Sequence, residues 1–122
     1  VPKAKDISLP DMFTLNNILF DFDKSTLKPV AFAELNSIVR SLKSHKFSKI
    51  EISGHTDNFG DDDYNLDLSS RRAKAVMNYF IEMGINPRQI SSEGKGERVP
   101  VATNETEEGR QSNRRTEIRI AK

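Results

Sequence analysis

The feature that most constrains this chain is a change of hydrophobic period inside one stretch, residues 50–80. Ile50 and Ile52 alternate with Glu51 and Ser53, the period-two pattern of a half-buried strand. Gly54 ends that run, and a loop rich in Asn, Gly and Asp follows. Ser69 then stands at a cap position ahead of Ala73, Val76, Met77 and Phe80, which share one face of a helix. A strand that passes through a polar loop into a helix is the opening of a strand–helix–strand unit, the element from which α/β domains are built.

Arg72 falls in the first turn of the helix so read. A cation there opposes the partial positive charge of a helix start, so an anion is expected beside it. Two anions qualify. One is Asp57, at the mouth of the preceding strand, in an internal salt bridge; paired charges of that kind are common. The other is a ligand carboxylate on Arg72, with a ligand ammonium on Asp57 and free backbone N–H groups nearby. The second arrangement would receive the zwitterionic end of an amino acid.

The flanking sequence supplies the rest of a sheet and its cover. Residues 18–22, ILFDF, alternate as a first strand, with Ile18, Phe20 and Phe22 on one face. Pro29 suits the first position of a helix whose stripe is Ala31, Leu35, Ile38, Val39 and Leu42. His45 and its neighbouring lysines suit the negative end of that helix. Gly84 followed by Ile85 reads as a left-handed helix stop with its apolar contact, and Asn86-Pro87 prevents continuation. Ile90–Gly94 reads as a short strand. Residues 97–113 read as a long surface loop with one helical turn near Glu107–Gln111. Residues 115–120 form a last strand, with Thr116, Ile118 and Ile120 on one side. The order is βαβαββ. It predicts an α/β (α+β) two-layer sandwich, a mixed sheet with its helices on one face. Residues 1–16 read as a lead-in or linker and 17–122 as the domain.

Composition narrows the function. A net charge of +1 over 122 residues, with lysine and arginine dispersed, gives no electrostatic case for nucleic acid. No apolar run approaches the length of a membrane span. The absence of cysteine excludes thiol catalysis and cysteine metal sites. The chain opens on Val1 without Met and is read as a piece of a longer protein. His55, Asp57 and Ser69 or Ser70 are the residue types of a hydrolytic triad, but no nucleophile-elbow sequence accompanies them. Asp61, Asp62 and Asp63 lack the alternating spacing of a calcium loop and read as a solvated segment favouring a helix start. Gly54, Gly60, Gly94 and Gly96 form no phosphate loop and read as turn glycines, so no cofactor is expected.

Three segments, ILFDFDKSTLKP, GHTDNFGDDDYNLDLSSRRAKAVMNYFIEMGI and ISSEGKGERVPVATNETEEGRQSNRRTEI, closely resemble the OmpA-like peptidoglycan-binding domain. GHTD, YN, LS, RRA, G-x-GE-x-x-P and NRR occur in the order and spacing of that family, over about residues 17–120. The resemblance implies a non-enzymatic periplasmic domain of an outer-membrane-associated protein, gripping the meso-diaminopimelate of the peptidoglycan stem. It implies that Asp57 takes the ammonium and Arg72 the carboxylate of the ligand. Further ligand contacts carry onto Phe22, Asp23, Thr56, Asn65 and Leu68, and Arg114 is expected to brace the loop. Phe59 and the acidic triple at 61–63 depart from the family's pattern and bear on the pocket rim. The alternative use is a docking module for envelope proteins, through the 97–113 loop or the acidic rim. Loss of a partner without loss of wall binding would mark that use.

Overall fold

The computed structural model describes residues 9–16 and 19–122. The elements are β1 (Met12–Asn16), α1 (Pro29–Lys43), β2 (Lys49–His55), α2 (Asp62–Glu82), β3 (Ile90–Gly96), α3 (Glu107–Asn113) and β4 (Arg115–Ala121), with a 3₁₀ turn at Pro87–Gln89 before β3. The four strands form one mixed sheet in the order β1-β4-β2-β3. β2 and β3 are parallel, as the crossover through α2 requires. β4 inserts between β1 and β2, antiparallel to both.

The core lies between the sheet and the two long helices. Ile50 and Ile52 of β2 sit opposite Ile120 and Ile118 of β4, and all four are buried. Ala31, Leu35, Ile38, Val39 and Leu42 of α1 cover them, together with Ala73, Val76 and Phe80 of α2. The two helices lie side by side, with the Phe32 and Tyr79 rings stacked at 5.1 Å. This is the expected two-layer arrangement. The 3.6-residue stripe of α1 and the period-two pattern of β2 present one apolar face each, and only face-to-face packing buries both.

The end of α2 follows its sequence signature. Gly84 has φ 105°, its N–H donates to Ile81 O at 3.0 Å, and the Ile85 N–H donates to Phe80 O at 3.0 Å. This is a Schellman stop, with buried Ile85 as the apolar contact.

Three expectations need correction. The first strand is not residues 18–22. Ile18 lies outside the described residues, Leu19 and Phe20 are buried, and Phe20 makes only an isolated antiparallel bridge to Leu27. The chain reverses instead at residues 21–24, where Lys24 N–H donates to Asp21 O at 3.0 Å and Asp23 adopts φ 65°. That is a type II turn, and it leaves Phe22 at its tip, 84% exposed. The edge strand is Met12–Asn16, inside the segment read as lead-in, with Leu15 buried and Phe13 packed against the core.

The second correction concerns α2, which starts at Asp62 and not near Ser69. Asp62 and Asp63 occupy its first turn, where the helix dipole favours them. Its buried residues run Asn65, Leu68, Ser69, Arg72, Ala73, Val76 and Phe80. The stripe is continuous, but its first two turns are largely polar, so apolar periodicity does not reveal them. Arg72 is therefore mid-helix, and the dipole at a helix start does not act on it.

The third correction concerns Gly54 and Gly94, which are not turn glycines. A Cβ on Gly94 would lie 2.3 Å from Ser70 N, and one on Gly54 would lie 2.4 Å from Ser69 O. These two positions let the α2 backbone rest directly on β2 and β3. The Gly96 N–H then donates to Ser69 Oγ at 2.9 Å.

Candidate functional site

The seven residues expected to meet a ligand come together. Phe22, Asp23, Thr56, Asp57, Asn65, Leu68 and Arg72 all line one cavity of about 620 Å³, within the range of small-molecule sites. Arg114 lines it too, as do Asn16, Phe20, Phe59, Tyr64, Glu107 and Arg110. The cavity lies at the end of the sheet where β2 feeds the loop before α2. The 21–24 turn forms one wall and α3 another.

Asp57 and Arg72 do not pair with each other. Asp57 Oδ1 accepts the Phe59 N–H at 2.9 Å, and Oδ2 accepts from Arg114 Nη1 at 2.6 Å. Arg114 Nη2 also donates to Glu107 at 2.6 Å. Burial lowers the readiness of Arg114 to hold its proton, but Glu107 and Asp57 outweigh that and raise its pKa. The internal salt bridge expected between Asp57 and Arg72 is therefore not formed; Asp57 pairs with Arg114 instead. That pair ties the start of β4 to the loop before α2.

Arg72 is 6% exposed and makes no ion pair among the described residues. Its Nε donates to Lys24 O at 2.7 Å and its Nη2 to Asp21 O at 3.1 Å, so the guanidinium clasps both ends of the 21–24 turn. It lies 5.0 Å from the centroid of the Phe20 ring. The Nη1 end of the fork has no protein acceptor among the described residues. Burial pushes the pKa of this guanidinium down, and Tyr64 and Asp23 push back. A guanidinium nevertheless remains charged. A buried cation without a counter-ion is costly, and an incoming carboxylate would relieve that cost with charge-assisted hydrogen bonds.

Thr56 and Asn65 shape the wall. Thr56 Oγ1 donates to Asp57 O at 2.8 Å. Asn65 Nδ2 donates to Phe59 O at 3.1 Å and to Glu97 at 3.2 Å. Both therefore hold the loop that carries Asp57. Tyr64, which the sequence reading did not single out, donates its hydroxyl to Asp23.

The segment 97–113 is more ordered than a surface loop. Asn113 is fully buried; its Oδ1 accepts the Val101 and Ala102 N–H groups at 2.7 and 3.0 Å. Its Nδ2 donates to Ala102 O and to Asn104 Oδ1 at 3.0 and 2.9 Å. One side chain thus replaces the missing secondary structure and fixes α3, whose cap is Thr106 Oγ1 accepting the Gly109 N–H at 3.0 Å.

The residues of the candidate triad do not form a relay. The His55 ring bonds Ser53 Oγ at 2.9 Å, whereas Ser69 Oγ donates to Leu66 O. His55 is buried, and its Nδ1 has no hydrogen-bond partner among the described residues. Burial first, and the nearby Arg115 second, lower its pKa from 6.5 to about 4, against an opposing pull from Glu117. The unfolded chain therefore takes up the proton before the folded one does. Stability is full above pH 6.5 and is lost as the pH falls towards 4, by about 3 kcal/mol at most. Urea unfolding at pH 7.5 and 4.5 should show this loss in the wild type, and a smaller loss in His55→Gln.

The chain matches the OmpA family over residues 19–114. It belongs to the OmpA family. This OmpA-family domain is 42% identical to outer membrane protein A of Bordetella avium, over 98% of its own length and 62% of that protein. It is 38% identical to the peptidoglycan-associated lipoprotein of Pseudomonas putida, over 95% of its length and 71% of that protein. Its fold superposes on the cell wall anchor of the T6SS from Pseudomonas aeruginosa with a TM-score of 0.81 at 28% identity, covering 91% of this chain and 81% of that one. Among the described residues no helix is long and apolar enough to cross a membrane.

Proposed function

We propose that this domain binds peptidoglycan without covalent chemistry, through the diaminopimelate of the stem peptide, and so anchors an outer-membrane-associated protein to the cell wall from the periplasmic side. The observation that carries this reading is Arg72. Its guanidinium is buried, faces a 620 Å³ cavity and lacks a carboxylate partner among the described residues. The Nη1 end of its fork takes the side-chain carboxylate of the ligand, and the acidic wall of Asp23 and Asp57 takes the ammonium. The reading is also supported by relatives whose names place them on the wall, a peptidoglycan-associated lipoprotein and a cell wall anchor.

Selectivity follows from requiring both charges. A stem that ends in lysine lacks the second carboxylate and leaves Arg72 unpaired, at a cost of about 1–3 kcal/mol. Binding of one stem is modest because the site is partly open to water, and a repeating wall adds avidity. Co-sedimentation with purified sacculi tests this. Excess free meso-diaminopimelate should release the domain, and excess lysine should not. Retention that is indifferent to meso-diaminopimelate would remove the assignment.

A further inference from the structure

The end of the sheet opposite the cavity is basic. β2 and β3 begin there and β4 ends there, with Lys49 opposite Ala121 and Ile50 opposite Ile90. Side chains fasten the neighbouring turns to it. Gln89 Nε2 donates to Phe47 O at 3.0 Å, and Ser48 Oγ donates to Ala121 O at 3.0 Å. Lys43 Nζ reaches the end of α2, 2.8 Å from where a Cβ on Gly84 would lie. Among the described residues, six exposed cations stand on this pole: Arg40, Lys43, Lys46, Lys49, Arg88 and Lys122. Its exposed acids are Asp11, Glu51 and Glu82, which leaves three positive charges in excess.

Local roles account for part of this charge only. Arg40 and Lys43 lie in the last turn of α1, where they suit the helix dipole. Lys49 pairs with Glu51 at 3.6 Å and Lys122 with Asp11 at 3.3 Å, and exposed pairs of this kind contribute little. Arg40, Lys43, Lys46 and Arg88 make no ion pair among the described residues. At the other end, the 21–24 turn and the start of α2 carry Asp21, Asp23, Asp61, Asp62 and Asp63. β2 spans seven residues, so the two poles lie roughly 20 Å apart, beyond the screening length of about 8 Å at physiological salt. A charged surface brought to the basic pole therefore meets the local excess, and the net charge of +1 for the whole chain does not describe it.

We propose that the basic pole rests on an anionic phospholipid surface while the cavity at the far end faces the wall. The path of the chain favours a membrane as the occupant. β1 begins at this pole, where Ile120 N–H donates to Asp11 O at 2.8 Å, so the segment before β1 joins the domain beside Lys122. In the anchoring reading above that segment leads towards the membrane, and the face that receives the tether is the face with the positive excess. Lysines and arginines spread over such a face are attracted by a field of lipid phosphates. The proposal goes beyond wall binding and takes from it only the membrane tether.

Vesicle co-sedimentation tests this. The domain is mixed with phosphatidylcholine vesicles containing about one-quarter phosphatidylglycerol, or with phosphatidylcholine alone, at about 100 and about 500 mM salt. It should sediment with the anionic vesicles at the lower salt, be released at the higher, and ignore the neutral ones. The triple variant Arg40→Gln/Lys46→Gln/Arg88→Gln should bind anionic vesicles about a hundredfold more weakly, since each cation near such a surface is worth about fivefold. A control with the same change in net charge, Lys28→Gln/Arg71→Gln/Lys74→Gln, should stay within about threefold of the wild type, because its charges lie away from the pole. Circular dichroism checks both folds. The pole variant should keep wild-type retention on purified sacculi, which separates failure of this proposal from failure of the cavity reading. No binding to anionic vesicles, equal binding to neutral ones, or an equal loss in the two variants overturns the proposal. A pole variant that keeps the vesicles and loses the sacculi would assign the pole to the wall and overturn it as well.

Discussion

Arg72→Lys should lower retention on purified peptidoglycan by about thirtyfold, close to 2 kcal/mol, while the fold stays native. The guanidinium does two jobs at once. Nε and Nη2 hold the carbonyls of Lys24 and Asp21, and Nη1 is left to meet a carboxylate. A lysine ammonium is a single point on a flexible stem and cannot span all three acceptors. The lysine variant keeps the charge, so a loss of binding reports the fork and not the loss of a cation. Arg72→Ala is a poorer test. It also removes the packing over Phe20 and releases the 21–24 turn, which mixes folding with binding. Meso-diaminopimelate should raise the melting temperature of the wild type, by preferential binding to the folded state, and should leave that of Arg72→Lys nearly unchanged. Retention of the lysine variant at the wild-type level would mean that the guanidinium is not the anion receptor.

Gly94→Ala should destabilise the domain by about 3 kcal/mol or more. The added Cβ would meet Ser70 N at 2.3 Å, Ser70 Cα at 2.6 Å and Ser69 Oγ at 2.7 Å. The first two are helix backbone and cannot rotate away. Either α2 lifts off β3, or the strand shifts and strains the Ser69–Gly96 hydrogen bond of 2.9 Å. Both alternatives reach the cavity, because the same helix carries Asn65, Leu68 and Arg72. Urea unfolding should show a lower midpoint with an unchanged slope. A midpoint equal to that of the wild type would show that the helix–sheet approach is looser than the structure has it.

Local pattern was sufficient wherever one apolar face is buried by regular structure. All five apolar residues assigned to the stripe of α1 are buried, and so are Ile50, Ile52, Ile118 and Ile120 on the two central strands. The Gly84-Ile85 stop needs only the two residues themselves. The same logic missed β1, because an edge strand with one buried leucine is a weak signal. It also shortened α2, whose first two turns carry mostly polar residues, with Asn65 and Ser69 among the buried ones. Placing the site depended on motif spacing, since helix electrostatics singled out Arg72 for a reason that the true start of α2 removes.

The alternation of Ile50 and Ile52, the stripe of α1 and the motif spacing thus settled the two-layer architecture and the set of residues that meet at one end of the sheet. These are short-range signals, written in neighbouring side chains. What only the folded molecule decided is who holds whom. Arg114 claims Asp57, Arg72 clasps the carbonyls of Asp21 and Lys24, and Asp23 accepts from the Tyr64 hydroxyl. Those choices join groups far apart along the chain. They depend on distances that the packing of α2 and α3 against the sheet sets, and no periodicity in the amino-acid order encodes them.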